Sequence, residues 1–156
     1  MGDGTSAVAR AWAANCEVNE RLLAEIPDAG LAARFAPRTR TVSAQFAHLH
    51  NVRVMHLSKR EAEAGGLAPF PRGAEPARGE IEAALAASAR AAGDLLSKGE
   101  ATGRVPGWGG PPATFLAYLL AHEAHHRGQI LVSLRLSGVK LPKEITYGLW
   151  DAWRRA

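Results

Sequence analysis

The residues with the clearest chemical potential form a short histidine-rich stretch, HEAHHRGQ, at positions 122–129. His122 and His126 are four residues apart, so on a helix their imidazoles lie on one face, about 5–6 Å apart. Neutral imidazoles in this arrangement bind divalent cations, zinc among them. The stretch therefore predicts two ligands of a metal site, to which another part of the chain must add a third.

The third ligand can come from an earlier segment, QFAHLHNVRVMH, which contains the other three of the six histidines: His48, His50 and His56. Helical periodicity leaves two alignments of this segment open. One apolar stripe is made of Gln45, His48, Val52 and Met55, and the other of Phe46, His50, Val54 and Leu57. Either His48 or His50 can therefore face the histidine pair.

The same stretch also fits the H-E-x-x-H pattern of zinc metalloproteases, in which Glu123 would be the general base. Such enzymes usually carry a sheet before the motif helix and a third ligand after it. Here the preceding sequence is helical, no histidine follows His126, and Gly128 comes one residue too early for the longer protease motif. The protease interpretation is therefore disfavoured, and Glu123 is expected to face solvent or to anchor a neighbouring group.

Glycine and proline divide the chain into four segments of helix length. The predicted helices run from about Thr5 to Ile26, Thr41 to Ala64, Glu80 to Lys98 and Pro112 to Ser137, with stops at Pro27, Gly65, Gly99 and Gly138. A short amphipathic helix is predicted in the tail from about Thr146, and no segment shows the period-two alternation of strands. The prediction is an all-α four-helix bundle with a short C-terminal helix, formed by residues 1–156 as a single domain.

Composition limits the classes of function. The chain has 156 residues, of which 47% are hydrophobic and 22% charged, with a formal net charge of +4; these values are typical of a soluble globular domain. The basic residues are scattered rather than gathered in a stripe, so we expect no nucleic-acid partner. A single cysteine and the absence of a long apolar run predict a cytoplasmic protein without a membrane partner.

Several polar or small residues lie where a helix would be expected to bury its side chains. Asn15 and Asn19 interrupt the apolar stripe of the first helix, so they either donate hydrogen bonds towards the metal site or bond to backbone. Arg127 is expected to bind substrate or to brace the tail. Gly128 costs a helix about 1 kcal/mol relative to alanine, which predicts the close approach of a neighbouring element.

The C-terminal tail contains two of the four tryptophans, Trp150 and Trp153. Their spacing of three residues places both on one face of the predicted tail helix. We expect this face to pack against the bundle or against a second subunit, and we expect a homodimer.

The stretches TVSAQFAHLHNVR from Thr41 and HEAHHRGQILVSLRLSG from His122 together resemble the DinB/YfiT-like family of four-helix-bundle metalloproteins. That family takes one histidine from its second helix, in a T-[VI]-x-x-x-[hydrophobic]-x-H-[aliphatic] context, and two from H-x-x-x-H-R-G-Q on its fourth. The stretch NERLLAEI also resembles the N-x-x-L-L segment of the family's first helix. The resemblance implies His48, His122 and His126 as the ligands, with His50 or His125 as the nearest substitutes.

The resemblance also implies a cofactor and an activity. It implies a divalent metal, most often zinc or nickel, and a metal-dependent transferase that uses a low-molecular-weight thiol with a small-molecule substrate. Two alternatives stay open at this point. One is a non-catalytic, metal-stabilised binding or structural protein, and the other is a metal-dependent hydrolase, because the open metal position can also hold water.

Overall fold

The structure of the protein is a computed structural model that describes residues 6–59 and 65–156. Four long helices dominate it: α1 (Ala7–Glu25), α2 (Val42–Ser58), α3 (Arg78–Thr102) and α4 (Pro112–Leu136). A 3-10 helix precedes α2 and two short helices form the tail: Asp28–Ala32, α5 (Lys143–Thr146) and α6 (Asp151–Arg155). The all-α prediction is confirmed, and the described ranges contain no strand.

The first two helices begin at capping hydroxyls. Ser6 accepts a hydrogen bond from the backbone N–H of Ala9, and Thr41 accepts one from that of Ala44, as N-cap residues do. Thr5, the predicted start of the first helix, lies outside the described residues. The predicted extension of the second helix to Ala64 also falls mainly outside them, since α2 ends at Ser58 and residues 60–64 are not described.

The predicted end of the third helix and the predicted tail helix differ from the structure. Gly99 does not end the third helix, which continues to Thr102 and stops at Gly103, where φ is +76°. Gly99 is instead a contact point, because a Cβ atom there would lie 2.8 Å from Cγ2 of Val105. The tail forms two short helices rather than one, with Trp150 59% exposed.

The close approach predicted at Gly128 is also wrong for the described part of the chain. A Cβ atom at this position would meet no atom within 4 Å, and the residue is exposed on α4. Glycine lowers the stability of the helix at this position, and no contact with the described residues explains its presence.

The helices place two apolar clusters at different levels of the molecule, with α1 and α2 each packing against both α3 and α4. One cluster contains Leu22, Phe46, Leu49, Ile130 and Leu134, and the other contains Trp12, Leu57, Leu95, Phe115 and Leu119. Along α2 and α4, buried polar residues lie between the positions of the two clusters: His50, Arg53, Glu123, His126 and Arg127. The fold therefore carries a polar layer across its middle.

No helix in the described ranges combines the length and the hydropathy that are needed to cross a membrane.

Candidate metal centre

Three histidines from two helices converge in this polar layer. His48 comes from the middle of α2, while His122 and His126 lie one turn apart on α4. Ring centroids are separated by 4.6 Å between His48 and His126, 4.6 Å between His122 and His126, and 5.3 Å between His48 and His122. One nitrogen of each ring lies within 4.8 Å of the other two. Since two nitrogens on one zinc ion are about 3.3 Å apart, small ring rotations bring all three to a single ion.

The ring of His126 is held by a chain of amide side chains. Its Nδ1 lies 2.7 Å from Oε1 of Gln45, and Nε2 of Gln45 donates to Oε1 of Gln129 at 2.7 Å. Because an amide oxygen only accepts, Nδ1 of His126 carries the proton and Nε2 keeps its lone pair. Such a partner fixes both the tautomer and the orientation of a metal-binding imidazole.

His122 contributes a nitrogen without a partner. Its Nδ1 is buried and makes no hydrogen bond in the described part of the chain, while the ring lies nearly parallel to that of Tyr118, with centroids 6.1 Å apart. Buried polar atoms are nearly always bonded, because leaving one unsatisfied costs free energy. A cation bound at the three rings would give His122 a bonding partner, so the donor set fits a divalent metal.

A cavity of about 750 Å³ opens beside His48. Its walls come from α2, from residues 35–40 before that helix and from residues 70–74 after it, and Gln129 reaches it from α4. The volume falls in the range of roughly 300–1,000 Å³ that is usual for small-molecule sites. Of the three clustered histidines, His48 lines this space, whose volume suits an organic ligand.

The structure shows where the two alternative ligands, His50 and His125, lie relative to the histidine cluster. His50 is 3% exposed, and its two ring nitrogens lie 2.9 and 3.0 Å from the carbonyl oxygens of Ala84 and Ala68. Both nitrogens of His50 are therefore engaged away from the cluster. His125 is exposed, and although its ring centroid lies 5.1 Å from that of His126, its Nε2 bonds to Gln129 at 2.7 Å. Neither His50 nor His125 belongs to the group of three whose ring nitrogens lie within 4.8 Å of one another.

A family model described as the DinB family matches residues 1–155. The chain belongs to the DinB family. No curated protein is significantly similar to it. The family resemblance carried by the two histidine-rich stretches is thus confirmed over nearly the whole chain.

Electrostatics keep the clustered histidines of this DinB-family protein neutral. Burial lowers the pKa of His48 to about 4 and that of His126 to about 3, and the positive charge of Arg40 acts in the same direction on both. Burial also lowers the pKa of His122. Neutral rings have free lone pairs at pH 7, and this is the form that binds metal.

Glu123 lies next to His122 in sequence but does not face the cluster. Its carboxylate accepts hydrogen bonds from Nε of Arg53 at 2.7 Å and from Nδ2 of Asn15 and Asn19 at 2.5 and 2.7 Å. Burial alone would raise the pKa of this carboxyl, but the Arg53 charge and these hydrogen bonds bring it below the ordinary value. Of the two roles expected for Glu123, facing solvent and anchoring a neighbouring group, the structure shows the second. Glu123 is therefore not placed as the general base of a protease.

Arg127 closes the same network. Its Nη1 donates to Oδ1 of Asn15 at 2.8 Å and to Oδ1 of Asn19 at 3.0 Å. The side chains of both asparagines bond to Glu123 and Arg127. Arg127 is not among the described residues that line the cavity beside His48. Since Glu123 and Arg127 directly follow His122 and His126, the network sets the rotation of α4 about its axis.

Arg53, which completes this network, was not predicted from the sequence. Its side chain is 1% exposed, donates to the carbonyl of Leu85 at 3.1 Å and lies over the ring of Trp12, 4.8 Å from the centroid. A charged residue in the middle of a helix is usually solvated. The signal that could have indicated Arg53 was Glu123, a second charged residue, on the buried face of another helix. A buried carboxylate needs a partner of opposite charge.

Proposed function

We propose that this DinB-family protein binds one divalent metal ion through His48, His122 and His126. The observation that carries the proposal is the convergence of three neutral imidazoles from two helices, with one nitrogen of each within 4.8 Å of the others. The hydrogen bond from His126 to Gln45 and the unpartnered Nδ1 of His122 support it. Zinc and nickel both suit imidazole ligands, and three protein ligands leave a coordination position open.

We further propose a metal-dependent transferase that uses a low-molecular-weight thiol. A divalent ion with an open position lowers the pKa of a bound thiol and so supplies a nucleophile near neutral pH. In the transfer, the thiol proton passes to solvent and the sulfur forms a bond to an electrophilic carbon, while the leaving group departs with its bonding electrons. The cavity of about 750 Å³ beside His48 supports this proposal, because its volume lies in the usual range of small-molecule sites.

The same geometry weighs against hydrolysis. Activation of water usually requires a general base close to the metal. Glu123, the nearest carboxylate in sequence, is fully engaged by Arg53, Asn15 and Asn19. Within residues 6–59 and 65–156, no aspartate or glutamate lines the cavity. Thiol chemistry needs no such base, since a thiol loses its proton far more readily than water does.

A thiol-transfer screen tests the proposed reaction. Metal-loaded protein is incubated with pairs of a small thiol (cysteine, glutathione or coenzyme A) and an alkylating electrophile, and products are identified by mass spectrometry. The wild-type protein and the His125→Ala control should form a thioether, and His126→Ala should not. Formation of no product would favour a metal-stabilised protein without turnover, and hydrolysis of the electrophile without sulfur incorporation would favour a hydrolase.

We also propose that the protein is a homodimer. Large apolar side chains are exposed on the second half of α4 and on the tail, with Leu136 67%, Tyr147 77% and Trp150 59% accessible. Exposed apolar side chains of this size are often covered by a second subunit. Sedimentation equilibrium tests the proposal, and a species of 16.6 kDa at micromolar concentration would contradict it.

A further inference from the structure

Three arginines line the cavity beside His48: Arg38, Arg40 and Arg72. Among the residues that the structure describes, no aspartate or glutamate lines it. In the described part of the chain, none of the three forms an ion pair or a side-chain hydrogen bond. Arg34, a few residues earlier, does have a counter-charge, because its Nη2 lies 3.5 Å from Oε1 of Glu75. Guanidinium groups that share a concave space without counter-charges produce a positive potential there, which attracts anions.

Arg38 occupies a backbone position that is unfavourable for its side chain. The N–H of Thr39 donates to the carbonyl of Ala36 at 3.2 Å, which closes a turn with Pro37 second and Arg38 third. The φ angle of Arg38 is +66°, and among the described residues it is the one non-glycine with a positive φ. This turn position normally holds glycine or asparagine. An arginine kept in a strained conformation at a cavity wall indicates a use for its side chain.

The segment that carries Arg72 is fixed beside the same helix as His48. Nδ2 of Asn51 donates to the carbonyl of Phe70 at 3.0 Å, and the N–H of Phe70 donates to Oδ1 of Asn51 at 2.8 Å. The ring of His50 packs edge-on against Phe70, with centroids 5.4 Å apart. These contacts hold the far wall of the cavity in place before any ligand arrives, which reduces the entropic cost of binding.

We propose that the cavity binds a small organic anion through Arg38, Arg40 and Arg72, with a carboxylate or phosphate as the recognised group. Guanidinium groups pair with both anions through two parallel hydrogen bonds. The reacting end of this molecule then lies at the His48 side of the cavity, and this part of the inference rests on the proposed function. Recognition of the anion itself requires the arginines alone.

Calorimetric titration with three probes tests the inference. Succinate and inorganic phosphate represent the two anions, and succinamide has the shape of succinate without its charges. Wild-type protein should bind at least one anion and not succinamide. Arg38→Gly, which also relieves the strained turn, and Arg72→Ala should each weaken anion binding at least about tenfold. Arg90→Ala, an exposed arginine on α3 outside the cavity, is the matched control and should bind as wild type does.

The same titration on the His122→Ala/His126→Ala variant separates the two proposals. Anion binding that persists while metal binding is lost supports the arginine site independently of the metal site. Anion binding to the wild type with no stoichiometric metal would support the anion site and contradict the proposed function. Equal affinity for succinate and succinamide, unchanged affinity in both arginine variants, or no binding of either anion would overturn the inference.

Discussion

Arg53 and Glu123 form a buried ion pair between α2 and α4, in which Nε lies 2.7 Å from Oε1 and Nη2 lies 3.0 Å from Oε2. Both side chains are 1% exposed. Asn15 and Asn19 bring α1 into the same network. Because Glu123 directly follows His122, the pair couples the packing of three helices to the orientation of a candidate metal ligand.

Removing one charge of this pair should cost much of the stability of the fold. Glu123→Gln keeps the size of the side chain but leaves the Arg53 charge buried without a counter-charge, so we expect the free energy of unfolding to fall by about 3–5 kcal/mol. The double variant Arg53→Met/Glu123→Leu replaces both charges by apolar groups and should recover part of that loss, because the buried Nδ2 groups of Asn15 and Asn19 still lose their acceptor. Urea unfolding measures the stability of both variants. If the free energy of unfolding of Glu123→Gln falls by less than about 1 kcal/mol, the pair contributes no more than a solvent-exposed ion pair does.

Gln45 should control metal affinity without supplying a ligand. In Gln45→Leu, Nδ1 of His126 loses its acceptor, and we expect the affinity for zinc to fall about 10- to 100-fold at unchanged stoichiometry. Gln45→Glu keeps an acceptor at the same place and is the matched control. Competition with a chromophoric chelator measures the affinity. Equal affinity in wild type and Gln45→Leu would mean that the 2.7 Å contact does not orient the ring.

The metal-free protein should lose stability on acidification. Burial lowers the pKa of His48 to about 4 and that of His126 to about 3 in the folded chain, whereas an unfolded histidine titrates near 6.5. Below about pH 6.5 the unfolded state therefore binds more protons, so this stability is present above pH 6.5 and decreases as the pH falls towards 4.

Urea unfolding at a series of pH values, with a chelator present, measures this dependence. A His48→Ala variant should show a weaker dependence between about pH 6.5 and 4.5, because it lacks one of the groups that gain a proton on unfolding. Stability that is constant or rises over this interval would contradict the assignment of neutral, buried rings.

Two helical glycines should respond in opposite ways to substitution by alanine. A Cβ at Gly128 meets no described atom within 4 Å, so Gly128→Ala should raise the free energy of unfolding by about 0.5–1 kcal/mol. A Cβ at Gly99 would lie 2.8 Å from Cγ2 of Val105 and 3.1 Å from Cγ of Pro112, so Gly99→Ala should lower it by about 1–3 kcal/mol. Thermal unfolding compares the two variants, and a loss of stability in Gly128→Ala would point to an intermolecular contact at that face.

The helix pattern was predictable where glycine and proline act through local backbone chemistry. Proline removes a donor and glycine favours positive φ, so Pro27 follows the end of α1 and Gly138, with φ at +75°, follows α4. The prediction failed at Gly99, where glycine serves a contact with the distant Val105. A single sequence does not show whether a glycine is present for its backbone or for its lack of a side chain.

Helical periodicity could not decide between His48 and His50, and the reason is physical. Gln45 and Val52 on one stripe of α2 are buried, and so are Phe46 and His50 on the other. A helix buried on two sides has no single apolar face, so the pattern carries no orientation. By contrast, α4 keeps an exposed face, and the spacing of four residues correctly placed His122 and His126 on one face of the helix.

The buried network was the least predictable part of the site. Arg53 and Glu123 are 70 positions apart, and each residue type is usually exposed. Their burial becomes favourable only when both meet in the folded chain with Asn15 and Asn19 as further partners. Such a pairing depends on tertiary packing, which local propensity and periodicity do not encode.

Elemental analysis of purified protein, after dialysis against a weak chelator, tests the three-histidine metal site most directly. Wild type, His125→Ala and His56→Ala should each retain one divalent ion per chain, because neither substituted ring belongs to the cluster. His48→Ala should lose most of the metal, and His122→Ala/His126→Ala should retain none, since no neighbouring side chain replaces the lost bonds. One ion per chain in the double variant would contradict the site.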